Sequence, residues 1–353
     1  MYQTNHSSTR ALIVFNPSAG QATSLEQALY AATDVWRAHG WHVHLEPTTC
    51  AGDGIRIARE AAEQGYDVVV AAGGDGTVNE VVNGLAGTDT AMAALPVGTV
   101  NVWVRELGMP LNPRAAAESI LLAQRQHVDL GRAGERYFLL MAGVGFDAAV
   151  TAEVRSEEKR RLGVFAYAWR ALSIALRFRG TRVNITIDGK LRRARVLMVV
   201  LGNSQLYGGF VKLTARASIN DGLIDVCIIK GTRLLHSAPL RILSILTRRY
   251  NRDPEVEYHR ARTVHVESQL ALPVQVDGDH IGHTPMTFEA VPNALYVLLP
   301  ADLPPELVRK EPSLVQHPVE RLLRWVVRPR NHRVDDELVQ DEHSPEDTLI
   351  HRP

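Results

Sequence analysis

Apolar positions in the first hundred residues alternate between short unbroken runs and stripes of helical period. ALIVF at 11–15 is wholly apolar and stops at the turn signal NPSAG, which predicts a buried strand. Leu25, Ala28, Leu29, Ala32 and Trp36 then recur along one helix face. WHVHLE at 41–46 alternates as a strand does, TTCAGDG reads as a loop, and Ile55, Ala58 and Ala62 mark the helix it opens. DVVVAA at 67–72 is another buried strand, running into Gly73-Gly74-Asp75-Gly76-Thr77. Beyond that turn Val78, Val81, Val82 and Leu85 fall at i, i+3, i+4 and i+7, one face of a new helix. MAALPVGTVNVWVREL predicts strand, Gly-Thr turn and helix, and PRAAAESILLAQRQ predicts a helix with Pro113 near its start. This alternation predicts a parallel α/β sheet covered on both faces.

Near residue 128 the texture changes. HVDLGRAGERYFLLMAGVG, TRVNITIDGKLRRARVLMVVLGN, GLIDVCIIK, RTVHVES, LPVQVDGDHIG and ALYVLLP are strand-like pieces joined by Gly, Asp and Asn turns. They predict an antiparallel, sandwich-like region, interrupted by helical insertions near 157–178 and 233–249. The expected division is an α/β domain at 11–127, completed by a helical segment at 301–330, and a β-rich domain at 128–300. The polar stretch 331–353 is expected to be disordered.

Composition changes this picture little. The 353 residues are 45% hydrophobic and 22% charged, with 39 basic and 39 acidic side chains. A net charge of zero points to no nucleic-acid partner and leaves only local patches to attract a charged surface. Cys50 and Cys227 form no metal-ligand or disulfide pattern, so a reducing cytoplasm is expected. The polar start MYQTNHSSTR carries no visible secretory signal, and no apolar run approaches the ~20 residues that span a bilayer. The expectation is a cytoplasmic protein, at most peripheral to the inner face of the cell membrane.

Gly73 to Thr77 stand where a strand becomes a helix. Unpaired N–H groups and the positive end of the helix dipole make that position a phosphate site, and glycine lets oxygens approach without a Cβ in the way. Asp75 among them suggests metal-nucleotide binding or proton abstraction; the bland alternative is an N-cap.

The neighbouring motifs narrow the choice. VFNPSAG at 14–20, TTCAGDG at 48–54, GGDGTVNEVVNGL at 73–85, LPVGTVNVWVREL at 95–107 and AGVGFDAAV at 142–150 occur in order. LGNSQLYGG at 201–209, INDGLIDV at 219–226, VQVDGD at 274–279 and ALYVLLP at 294–300 follow. In this ordered set the chain resembles the diacylglycerol kinase catalytic-domain family, which includes bacterial lipid kinases and sphingosine kinases. The resemblance implies an NAD kinase/diacylglycerol kinase-like fold, ATP and Mg²⁺, and phosphorylation of a lipid hydroxyl at a cleft between two domains.

By that resemblance Asn16, Thr48, Gly73, Gly74, Asp75, Gly76, Thr77, Val78, Asn79 and Thr99 surround ATP. Asp221 resembles the family's acidic Mg²⁺ residue, with Ser218 and Leu223 giving backbone oxygens. Asp279 stands where the family has a glutamate acting as base. The aspartate is shorter by about 1.5 Å, one C–C bond, and Asp75 is the second candidate; Asp277 is expected to support the turn. The loop NPSAGQATS lacks the basic residue usual in the family, which leaves Arg105 as a nearby cation.

Two basic amphipathic stretches, EVRSEEKRRLGVFAYAWRALSIALRFRG and TRLLHSAPLRILSILTRRY, suit a membrane interface where a lipid substrate would be met. Dimerisation through apolar edge strands of the first domain stays open. The competing readings are a non-catalytic lipid- or nucleotide-binding regulator on the same scaffold, and an NAD kinase.

Overall fold

Strand β1 (Arg10–Phe15) opens a parallel layer in which each strand is followed by a helix. Helix α1 (Ala22–Ala38) leads to β2 (His42–Pro47), α2 (Asp53–Glu63) to β3 (Val68–Gly73), and α3 (Asp75–Leu85) to β4 (Ala91–Pro96). The strand order is β2-β1-β3-β4, all parallel. Every residue of β3 and β4 is buried, as expected of strands covered on both faces. The computed structural model describes residues 8–18, 22–146, 148–149, 179–209, 211–232 and 253–309. The two basic amphipathic insertions, most of the 301–330 segment and the 331–353 tail therefore lie outside the described residues, apart from Arg179 and Gly180 at the end of the first stretch and Thr232 at the start of the second.

After β4 come α4 (Val102–Glu106) and α5 (Pro113–Leu121), the latter capped by Asn112, whose side chain accepts the Ala115 N–H. Trp36 of α1 is fully buried and donates its indole N–H to Ala117 O of α5 at 3.0 Å. Helix α5 stops short of the predicted end. Residues from Gln124 onward instead form β5 (Gln124–Ala133), whose ladder with the last strand overrides the helical propensity of QRQ.

The rest of the chain is β-rich: β6 (Arg136–Phe138), β7 (Met141–Gly145), β8 (Thr181–Ile187), β9 (Lys190–Gly202), β10 (Leu206–Tyr207) and β11 (Val211–Lys212). Next come β12 (Ile224–Lys230), β13 (Val256–Ala261), β14 (Thr263–Ser268), β15 (Pro273–Val276), β16 (Asp279–His283) and β17 (Met286–Leu299). Antiparallel pairing runs β16-β15-β7-β9-β8-β14-β17, with β12 added to β9 and β13 to β12. Phe138, Ile185, Val199, Val226, Val264 and Phe288 belong to the core of this region. The architecture is thus an N-terminal mixed α/β sheet region followed by a C-terminal β-rich one. Cys50 and Cys227 are both free.

Strand β17 joins the two. Its first residues pair with β14, its length runs against β5, and Tyr296 and Val297 lie parallel to Ala91 and Met92 of β4. The ladder with β5 slips between Val291 and Leu295, where Asn293 has φ 52°, an irregularity that bends a strand. ALYVLLP, expected in the β-rich domain, therefore also extends the parallel sheet.

Helices α2 and α3 are packed through Gly84. A Cβ there would lie 2.5 Å from Ile55 O and 2.7 Å from Ala58 Cβ. Gly84→Val is expected to destabilise the fold by about 1–3 kcal/mol through overpacking, seen as a lower denaturant midpoint.

Candidate active site

The loops leaving β1, β2, β3 and β4 gather at the carboxyl edge of the parallel strands, where open α/β sheets hold ligands. Asn16 follows β1; its backbone N–H bonds Ala72 O at 3.3 Å and its Oδ1 accepts the Ser18 N–H at 2.8 Å. Thr48 follows β2 and donates its N–H to Phe15 O at 2.8 Å. Asn16 thus sits beside the end of β3 and Thr48 beside the end of β1. Among the described residues Thr48 makes no capping hydrogen bond to α2; the side chain bonded to Thr49 N–H and Oγ1 is that of Asp53, at 2.9 Å each. These bonds and Arg56 hold Asp53 below the usual carboxylate range.

Of the helix N-termini at this edge, those of α2 and α3 differ. At α2 the Glu80 carboxylate accepts the N–H groups of Gly52 and Gly54 at 2.8 and 2.9 Å, so that terminus already holds an anion. At α3 the N-cap is Gly74 and no side chain caps the first turn. The glycines of the turn divide by role. A Cβ at Gly73 would collide with the Thr77 side chain of its own turn, and one at Gly98 would lie 2.5 Å from Gly74 Cα, so Gly98 lets the turn after β4 touch the one after β3. Gly74 and Gly76 would meet nothing within 4 Å. Their bareness leaves an open cradle at a helix start, which fits a phosphate group. Val78 is buried and its N–H bonds Gly74 O at 3.2 Å, so it offers this cradle no free group.

Asp75 is committed to the fold. Its Oδ1 accepts the Val102 N–H at 2.7 Å, capping α4 rather than its own helix. The intervening turn, with exposed Thr99, is pinned by Asn101, which exchanges two hydrogen bonds with the backbone of Gly98 from φ 53°. Arg105 donates to Val100 O at 2.7 Å. Glu106 is buried and accepts the N–H groups of Gln205 and Leu206 at 2.6 and 2.9 Å, which ties the LGNSQ loop to α4; burial raises its pKa.

The β-rich side meets the cradle through Asn79. This residue of α3 is 1% exposed and donates to Asp277 Oδ2 at 2.9 Å and to Tyr137 O at 3.2 Å. Asp277 also accepts three successive backbone N–H groups, from Leu139, Leu140 and Met141, at 2.8, 3.0 and 2.9 Å. Burial pushes its carboxyl up to about 6, against the pull of these bonds. Asp277 and Gly278 both have positive φ, 46° and 90°, the two-residue turn that Asp-Gly favours between antiparallel strands. That turn puts Asp279 at the start of β16, its side chain 52% exposed. Arg136 spans the gap: its Nη2 lies 2.8 Å from Asn79 Oδ1 and 3.8 Å from Asp279 Oδ2, and its buried Nε has no hydrogen-bond partner among the described residues. Sequence reading missed Arg136, because ERYF carries no motif and its partners lie far along the chain.

Ser218, Asp221 and Leu223 gather at a separate point. The Asp221 side chain is 1% exposed, is ion-paired with Arg260, and accepts the Leu223 N–H at 3.2 Å. Ser218 Oγ bonds Asn220 Oδ1 at 3.0 Å and accepts the Arg309 N–H at 2.8 Å. Arg260 Nε stands 3.5 Å from Asp225 Oδ2, and burial pushes Asp225 up to about 6. A carboxylate enclosed and already matched by a guanidinium does not fit Mg²⁺, which needs oxygen ligands and keeps its waters. No group of three His, Cys, Asp or Glu able to hold a metal occurs among the described residues. The link from this turn to the cradle is indirect: Asp129 accepts the Gly222 N–H at 2.6 Å, and Asn203 bonds both Asp129 O and Leu139 O at 2.9 Å.

Two family models match in tandem. Residues 10–133 match a diacylglycerol kinase catalytic domain, and residues 141–299 match the YegS C-terminal NAD kinase beta sandwich-like domain. The chain is 32% identical over 296 residues to a diacylglycerol kinase of Bacillus subtilis, covering 83% of this chain and 97% of that one. It is 34% identical over 297 residues to a probable lipid kinase YegS-like protein of Pseudomonas putida, covering 84% and 97%. The crystal structure of a diacylglycerol kinase from Bacillus anthracis superposes with a TM-score of 0.68 at 27% identity, covering 84% of this chain and 98% of that one.

Asp277→Ala would strand three backbone N–H groups and the Asn79 amide. It is expected to cost about 2–4 kcal/mol, measured by denaturant unfolding.

Proposed function

This chain belongs to the bacterial diacylglycerol kinase and YegS-like lipid kinase family, and on that premise we propose that it transfers the γ-phosphoryl group of ATP to a lipid hydroxyl, of a diacylglycerol or sphingoid-like lipid. The observation that supports the reading is the open start of α3, bare at Gly74 and Gly76, tied through Asn79 and Arg136 to a half-exposed carboxylate, Asp279.

In this reading the first-turn N–H groups of α3 hold phosphate oxygens in place of water. Asn16, whose Oδ1 is used by Ser18, turns its amide to the nucleotide, and Thr48 and Thr99 offer hydroxyls from the adjoining loops. The guanidinium of Arg136 supplies a fixed positive charge that the basic-free NPSAGQATS loop does not. Asp279 accepts the proton of the lipid hydroxyl as its oxygen attacks phosphorus, and the ADP oxygen leaves. Asp279 is preferred to Asp75 as the base because Asp75 spends an oxygen on the Val102 N–H. Mg²⁺, entering with the nucleotide, would neutralise phosphate charge; Asp221 is not assigned to it. The enzyme works at a membrane surface from the cytoplasmic side; no helix among the described residues is long and apolar enough to cross a membrane.

Incubating purified protein with radiolabelled ATP and a lipid panel tests the assignment: label in lipid is expected, and label only in NAD would refute it. Asp279→Ala is expected to lower kcat by about 10²–10⁴-fold with the KM for ATP little changed. An active Asp279→Ala beside a dead but folded Asp75→Ala would move the base to Asp75. Gly76→Val places its side chain in open space, so the unfolding midpoint should hold. The KM for ATP should rise about tenfold or more, because the branched side chain fills the phosphate cradle.

A further inference from the structure

The chain is neutral overall, yet one face of its β-rich region is not. β8 and β9 form a hairpin in which Arg182 stands directly opposite Arg195, and Asn184 opposite Arg193. Val183, Ile185 and Ile187 point into the core, so by the two-residue period the three arginines share the outward face. Like charges directly across an antiparallel pair destabilise it. The adjacent inward residue, Arg192, has Glu257 at 3.8 Å. Glu267, the carboxylate on the neighbouring strand β14, is taken by Asn184 at 2.7 Å. Among the described residues the guanidinium groups of Arg182, Arg193 and Arg195 enter no ion pair or hydrogen bond.

These arginines line a groove of about 600 Å³ with Asn184, Ser268, Gln269 and one carboxylate, Glu267, so that three cations face a single anion. At the adjoining end of the hairpin Leu191 is 53% exposed, next to exposed Lys190. We propose that this face docks the protein on the anionic headgroups of a phospholipid bilayer. Phosphodiester oxygens lie between Arg182, Arg195 and Arg193, whose planar forks match phosphate geometry. Leu191 rests at the apolar boundary beneath them. A phosphate ligand removes the repulsion that the ladder otherwise carries. The groove lining holds no aromatic side chain, which argues against a single-stranded nucleic acid, whose bases need stacking surfaces. The inference concerns docking and stands apart from phosphoryl transfer, so it is tested without turnover.

The test is co-sedimentation of the full chain with vesicles of phosphatidylcholine alone or doped with phosphatidylglycerol, at low and high salt. Binding to the doped vesicles only, weakened by salt, is expected. Arg182→Gln/Arg195→Gln should lower partitioning about tenfold or more, while its unfolding midpoint is unchanged or raised because the cross-strand repulsion is gone. A charge-matched control, Arg59→Gln/Arg114→Gln on α2 and α5, should bind as the unaltered chain does. Equal loss in the control, indifference to phosphatidylglycerol, or retention of RNA in place of vesicles would each overturn the proposal. Because partitioning is read without ATP, a failure here is distinct from a failure to phosphorylate lipid.

Discussion

The carboxylate of Asp277 is the constraint on which the site geometry rests. It receives three consecutive backbone N–H groups from the segment entering β7 and a fourth donor from Asn79 on α3. One side chain thereby fixes a turn, a strand entry and a helix that belong to different parts of the sequence. A buried acceptor with this many donors cannot be vacated without leaving polar groups unmet. The turn that carries it also sets where Asp279 emerges, and the helix it grips is the one whose first residues form the open cradle. Relative placement of acid and cradle is therefore a property of one hydrogen-bonded node.

Strand β17 supplies the second level of organisation. Because it pairs with β14 and β5 before lying alongside β4, the two regions share backbone hydrogen bonds rather than only side-chain contact. Glu106 and Asn203 reinforce the seam from the helical and β sides respectively. A site assembled across such a seam has rigid walls on both sides, which is what positioning two reactants requires.

Much of the α/β part was legible because its signals are local. The apolar runs at 11–15 and 67–72 and the helix face after Thr77 depend on residues within a turn of one another, and the structure has strands and a helix there, with bounds within a residue or two. The Asp-Gly hairpin at 277–278 was likewise readable from residue type. What escaped reading was long-range. Asn79 and Asp277 are 198 positions apart, and nothing in either neighbourhood names the other. Arg136 gains its meaning only from what folding brings to it. The end of α5 was misjudged because a ladder with β17 competes for the same residues. Asp221 shows the converse: its motif is plain in the sequence, but Arg260, 39 positions on, decides what charge the carboxylate faces.

Glu80 has a bearing on direction. By filling the start of α2 with a carboxylate of the protein's own, the fold closes that helix terminus to an outside anion. On the proposed reading a polyphosphate tail is therefore left the start of α3 and the guanidinium of Arg136. On that reading an extended anion would be oriented by being refused the start of α2.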